Sequence, residues 1–175
     1  MNIVLCGMMG VGKTTVGLQL AQMTNRKFYD TDSVIVQRFG DISRVFKEYG
    51  EIYFRGLETK VICELATMQD LVISTGGGAV LKEENVEALK KQGKIVFLRA
   101  NLQTLEKRLA ADTTRPLLQT EESLKQRLQK LLETRSPIYQ KVADFVVDVD
   151  GKTPDNIAQE IISLMQKSEK TVGQV

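Results

Sequence analysis

The 175-residue chain contains no histidine and no tryptophan, two cysteines and three prolines. Without histidine, no imidazole can act as general base or metal ligand, so proton transfer falls to a carboxylate, a lysine or a tyrosine. Cys6 and Cys63 stand far apart without C-x-x-C spacing, one in an apolar run and the other on a helical pattern. They read as free thiols, and a cytoplasmic location is expected. Excess charge is missing too. Twenty-four basic against 22 acidic side chains leave +2, too little to indicate a nucleic-acid partner. No apolar run approaches the ~20 residues of a membrane span. The opening residues lack the basic segment of a signal peptide. Neither a membrane nor a nucleic acid is therefore expected as a partner. No repeat, low-complexity segment or Pro/Gly-rich linker divides the chain.

What remains is an ordinary globular composition, 42% hydrophobic and 26% charged, in a chain long enough for one domain (1–175) with a full core. Strand patterns recur at Ile3–Cys6, Lys27–Tyr29, Leu71–Thr75, Ile95–Arg99 and Phe145–Val149. Helical patterns fill the intervals. One ends at Gly40, a short one runs from Asp41 to Gly50, and longer ones cover Glu51–Ala66 and Lys82–Gln92. Asn101 caps Leu102–Ala111, Leu124–Thr134 follows, and Pro154 opens a last helix to about Gln166. This alternation predicts an α/β fold, a three-layer α/β/α arrangement around a central five-stranded parallel sheet. The four longer apolar runs are expected to be the central strands. Residues 168–175 are polar and aperiodic, and are expected to fray.

Ligands of such sheets sit at the carboxyl ends of the strands. After the first strand, Gly7, Gly12, Lys13 and Thr14 give G-x-x-x-x-G-K-T, with a further glycine at Gly10, just before a helical pattern. Glycines let the backbone from Gly7 through Gly10, Val11 and Gly12 to Thr15 curl its N–H groups inward. The helix N-terminus adds partial positive charge and Lys13 a full one. Thr14 supplies a hydroxyl for Mg2+ bridging two phosphates. This is a site for a nucleoside polyphosphate.

The other strand ends bear on what receives the phosphate. Asp30 and Asp32 follow the second strand. One could hold a metal ion through water while the other takes a proton; alternatively, Asp32 or Ser33 caps a helix beginning near Val34. Arg55 and Glu58 stand three residues apart on one helix face, as a surface ion pair or as a grip on a carboxylate. Gly76, Gly77 and Gly78 follow the third strand, either as a tight turn or where backbone approaches a ligand closely. No aspartate ends that strand, which makes Asp30 the metal-side acid. The polar stretch 112–122 carries Arg115-Pro116 and reads as a lid or as a surface loop. Arg135, near an expected helix end, could complement the helix dipole there.

Together, GMMGVGKTT, YDTD, IYFRGLE, STGGGAV, TRPLL, RSPIY and VDGKTP resemble, in this order, the shikimate kinase family, phosphate-loop (P-loop NTPase) kinases of the nucleoside-monophosphate-kinase type. These stretches span Gly7 to Pro154. The resemblance implies ATP-dependent phosphorylation of the shikimate 3-hydroxyl, a step toward chorismate and the aromatic amino acids. It implies that Lys13 and Thr14 serve phosphate and Mg2+, with Asp30 holding metal-bound water. Asp32 becomes the acid that contacts the substrate hydroxyls and the candidate base. Arg55 and Arg135 grip the substrate carboxylate, Gly76–Gly78 line its site with Gly77 as a backbone contact, and Glu58 orients Arg55. Arg115 becomes the lid arginine and Lys152 part of an adenine-side loop. Residues 34–66 become a helical substrate-binding insertion. The protein is expected to act as a monomer. Two other readings stay open here. One is a kinase of another small acceptor, such as gluconate or a nucleotide. The other is a non-catalytic nucleotide-binding module, which would be expected to lose Lys13, Asp32 or Arg115.

Overall fold

The computed structural model describes residues 1–110 and 123–172, with the side chains of the last helix described to residue 168. Five strands, β1 (Asn2–Cys6), β2 (Lys27–Asp30), β3 (Leu71–Ser74), β4 (Gly93–Arg99) and β5 (Phe145–Asp148), form one sheet in the order β2-β3-β1-β4-β5. Every neighbouring pair is parallel. The helices are α1 (Lys13–Thr24), α2 (Thr31–Phe39), α3 (Ile42–Ala66), α4 (Glu83–Gln92), α5 (Leu102–Ala110), α6 (Leu124–Val142) and α7 (Pro154–Val172). They cover both faces of the sheet, with α1 against α7, α3 against α4 and α5 against α6. β1 and β3 are buried at every residue, as apolar strands flanked on both sides must be. Cys6 sits inside this layer, where burial pushes its thiol up to about 12, so it stays a neutral core residue. Cys63 is half-buried.

Several boundaries differ from the sequence reading, each for a local reason. β5 is an edge strand, like β2, and only Val147 of its four residues is fully buried; apolar content alone did not distinguish it from the three strands that have two neighbours. α2 starts at Thr31, one turn earlier than expected. The cap is Asp30, whose carboxylate accepts from Ser33 N at 3.1 Å; neither Asp32 nor Ser33 is the cap. α6 does not end near Arg135 but continues through Pro137 to Val142. A helix-interior proline costs about 3 kcal/mol. Burial of Leu128 and of Tyr139, whose ring centroid is 5.2 Å from that of Phe97, opposes that cost. Arg135 is therefore a mid-helix residue, and dipole complementation does not explain it. α7 runs past Gln166 to Val172, so most of the expected frayed tail is helical; residues 173–175 lie outside the described residues.

The region 34–66 comprises most of α2 and the long α3. Asp41 caps α3, and Gly50, at φ 81, bends it. The left-handed region there suits glycine. Beyond the bend, Phe54, Leu57, Val61, Ile62 and Leu65 enter the core. This anchoring fixes the register of the Arg55–Glu58 segment relative to the sheet. No helix among the described residues is long and apolar enough to cross a membrane.

Candidate active site

The strand order reverses at β1, whose neighbours β3 and β4 lie on opposite sides. The crevice beyond its carboxyl end is where such folds place ligands. A cavity of about 630 Å³ opens there. Its floor is the loop from Met9 to Thr15. The loop's shape is set by glycine. Gly7 has φ 138, and a Cβ on it would meet the Leu98 carbonyl oxygen at 2.5 Å; Gly12, at φ 99, is the N-cap of α1. Because Gly12 has no side chain, the first-turn N–H groups of α1 have no capping group of their own and face the cavity end of the helix. Lys13 Nζ donates to the carbonyls of Gly7 (2.9 Å) and Met8 (3.0 Å), which holds the ammonium over the loop.

On the β2–β3 side, Asp30 collects three donors. Its Oδ2 accepts from Thr14 Oγ1 (3.0 Å) and Ser74 Oγ (2.9 Å), and its Oδ1 from Ser33 N. The parallel register pairs Asp30 with Ser74. An acid on the edge strand thus reaches the position where β3 itself ends in a serine. Thr14, Asp30 and Ser74 all line the cavity. These oxygen donors suit Mg2+, which binds one or two protein oxygens and keeps water and phosphate as its other ligands. Among the described residues, no group of three His, Cys, Asp or Glu could hold a metal unaided.

The glycine turn after β3 packs against a second group of polar side chains. Gly76 and Gly77 line the cavity. A Cβ on Gly76 would stand 2.8 Å from both Asp32 Oδ1 and Glu58 Oε1. One on Gly77 would stand 3.5 Å from an Arg135 guanidinium nitrogen. One on Gly78 would stand 2.6 Å from two nitrogens of Arg55. Space is tight at Gly76 and Gly78, where polar side chains occupy the place of a Cβ, while Gly77 would leave ordinary contact distances. The Gly76 N–H is taken by Thr31 Oγ1 at 3.0 Å, so Gly76 contributes room rather than a donor.

Asp32, in the first turn of α2, lines the phosphate-loop cavity and shares the space over Gly76 with Glu58, the acid that braces Arg55. Arg55 Nη1 donates to Glu58 Oε2 at 2.8 Å, and its other nitrogens approach Glu51 Oε1 at 3.3–3.4 Å. Glu58 is 1% exposed against 31% for the Arg55 side chain, so a buried acid braces a guanidinium that still meets solvent. Burial pushes the Glu58 carboxyl up, and the Arg55 hydrogen bond pulls it back. Its Oε1 has no hydrogen-bond partner.

The structure therefore brings together Lys13, Thr14, Asp30, Asp32, Gly76 and Gly77 on one cavity wall, and places Arg55, Arg135 and Gly78 across the turn. Lys152 also lines the cavity, paired to Glu160 at 2.6 Å. Arg115 and the stretch 112–122 fall among residues 111–122, outside the described residues. The sequence reading missed Arg108. From α5 it donates to the Val11 carbonyl at 2.8 Å and forms the far wall with Pro154 and Ile157. No motif flags it; its only signal was a charge on the polar side of an amphipathic helix. Ser74 was passed over in the same way, because a lone serine at a strand end has no spacing signature.

Comparison with known proteins agrees with this geometry. The shikimate kinase family model matches residues 9–166. The shikimate kinase of Thermodesulfovibrio yellowstonii is 44% identical over 162 residues, covering 92% of each chain. Among solved structures, the shikimate kinase of Acinetobacter baumannii in complex with shikimate superposes with a TM-score of 0.89 at 39% identity, covering 95% of this chain and 93% of that one. A gluconokinase from Sinorhizobium meliloti shares the fold, with a TM-score of 0.70 at 20% identity, covering 99% of this chain and 96% of its own.

Proposed function

We propose, from the premise that this chain belongs to the shikimate kinase family, that it transfers the γ-phosphoryl group of ATP to the 3-hydroxyl of shikimate. One observation carries the reading: a single glycine turn that lines the phosphate-loop cavity also packs beside Asp32, Arg135 and Arg55 at its successive residues. A cavity with an anion cradle suits a polyphosphate. Two guanidinium groups suit a carboxylate. An acid at the junction suits a hydroxyl that must lose a proton.

In this account the polyphosphate of ATP lies along the loop N–H groups and Lys13, and its nucleoside end points toward Arg108, Lys152 and Pro154. Arg55 and Arg135 hold the shikimate carboxylate, which turns the 3-hydroxyl to Asp32. As the hydroxyl oxygen forms its bond to the γ-phosphorus, its proton passes to the Asp32 carboxylate. The bond from the γ-phosphorus to the bridging oxygen breaks, and its electrons leave with ADP. Thr14, and Asp30 through water, would hold Mg2+, which when bound neutralises charge on the β- and γ-phosphates. Arg115 would add a further positive charge to the transferring group. Positioning and electrostatic stabilisation supply the rate enhancement, as phosphoryl transfer requires. All the site residues come from one chain, which supports a monomer as the active unit.

The test is ADP release with Mg2+ and ATP, offered shikimate, gluconate or a nucleoside monophosphate in turn. Release is expected with shikimate. Release with one of the others and not with shikimate would overturn the assignment.

Gly78→Ala isolates the carboxylate grip. The new methyl would meet Arg55 at 2.6 Å, and the guanidinium, at the end of a flexible chain, would swing away. Shikimate KM should rise about tenfold, the loss of one charge-assisted pair. The KM for ATP should hardly change, and the melting temperature should fall, because the buried Glu58 loses the guanidinium that braces it. Steady-state kinetics with each substrate varied would check this.

A further inference from the structure

Tyr139 is fully buried, yet its phenol is engaged at the junction of three functional segments. Its hydroxyl donates to the Gly77 carbonyl at 2.5 Å. The Met8 sulfur of the phosphate loop is 3.9 Å away. The Arg135 guanidinium, one helical turn earlier on α6, stands beside the phenol oxygen and opposes the upward push of burial on it. Arg135 and Tyr139 are four residues apart in an unbroken helix and so share a face. The ring is locked by Phe97, at a centroid distance of 5.2 Å. At Gly77 itself, a Cβ would meet Arg135, the Gly7 carbonyl and the Tyr139 hydroxyl within 3.8 Å. The Gly7 carbonyl is also held by Lys13 at 2.9 Å. A short chain of contacts thus runs from the arginine, through the phenol, to the glycine turn on one side and to Met8 on the other, whose carbonyl accepts from Lys13 at 3.0 Å.

We propose that Tyr139 is a positioning residue that sets the acid site and the phosphate loop in one geometry, by tying the Gly77 carbonyl to the helix that bears Arg135. A trans peptide plane points its C=O and N–H in opposite directions. Tying the Gly77 carbonyl toward the core therefore aims the Gly78 N–H the other way. Loss of the hydroxyl would free that plane and unseat Arg135 together. Ring packing accounts for a buried aromatic at this place. It does not account for a hydroxyl bonded to the Gly77 carbonyl, in the turn whose neighbours are Asp32, Arg55 and Arg135. The proposal rests on the assignment of Arg135 to the shikimate carboxylate.

The test is Tyr139→Phe, which keeps the ring and removes only the hydroxyl. Shikimate and a non-hydrolysable ATP analogue with Mg2+ are titrated calorimetrically, each alone and with the other present, beside steady-state kinetics and melting. Shikimate KM is expected to rise about tenfold, with nucleotide affinity within twofold of the parent and any gain in shikimate affinity caused by the nucleotide reduced. Unchanged shikimate affinity would overturn the proposal. So would equal losses for both ligands with a lowered melting temperature, which would mark a general packing role. Should the variant not fold, the Tyr139 hydroxyl proton of the parent protein is followed by NMR. A shift on saturation with shikimate is expected, and no shift would overturn the proposal. Parent turnover with shikimate is the reference; its absence would refute the functional assignment itself, whatever the variant does.

Discussion

Asp32→Asn is expected to lower kcat by about 10²–10⁴-fold, the usual cost of removing a general base. The amide preserves the size of the side chain and can still accept a hydrogen bond, but it cannot take the hydroxyl's proton. The chain has no histidine to substitute. Asp30, the neighbouring acid, is committed to Thr14, Ser74 and the cap of α2. Nucleotide affinity should stay near normal, because the phosphate loop and Asp30 are untouched, and shikimate affinity should fall only modestly. The check is steady-state kinetics with both substrates varied, beside nucleotide titration. Turnover within a few-fold of the parent would make Asp32 a positioning residue and leave the transfer without a protein base.

Lys13→Met should reduce kcat by about 10²–10³-fold, the scale seen when one preorganised donor to a developing charge is lost. Methionine retains much of the length and apolar bulk of the side chain while deleting the charge. The lysine is already poised, since Nζ bridges the Gly7 and Met8 carbonyls. On binding, it would exchange neutral carbonyl partners for anionic phosphate oxygens, a stronger interaction. Shikimate binding in the absence of nucleotide should be preserved, because Arg55 and Arg135 lie across the glycine turn. Single-turnover rates with ATP, together with shikimate titration of the variant, would measure both halves of this expectation.

These expectations draw unequally on sequence and structure. The phosphate loop was legible because its function constrains the backbone. Glycines at fixed spacing, then Lys13 and Thr14 opening a helix, can be read without coordinates. Alternating strands and helices likewise pointed to the parallel sheet. The arginines were less legible from their own surroundings in the chain. Arg55 beside Glu58 looks the same whether on a solvated face or bracing a substrate site. What distinguishes it is the burial of Glu58 and a guanidinium that occupies the place of a side chain at Gly78, both products of long-range packing. For Arg135 a helix-end role stayed open beside the carboxylate grip, because the helical pattern was read only to Thr134; α6 continues through Pro137 to Val142, with Tyr139 buried. The β2–α2 boundary was misplaced because Asp30 does two jobs, capping α2 and meeting Thr14. Arg108 and Ser74 reach the site only through the fold, so no local pattern announces them.

The most direct measurement of the central claim is phosphorus–proton correlation NMR of a reaction containing the protein, Mg2+, ATP and shikimate. A new phosphomonoester signal, coupled to the ring proton at C3 of shikimate, is expected to grow in step with ADP. Transfer to another hydroxyl, or no phosphorylated shikimate under conditions where the folded protein binds ATP, would contradict that claim.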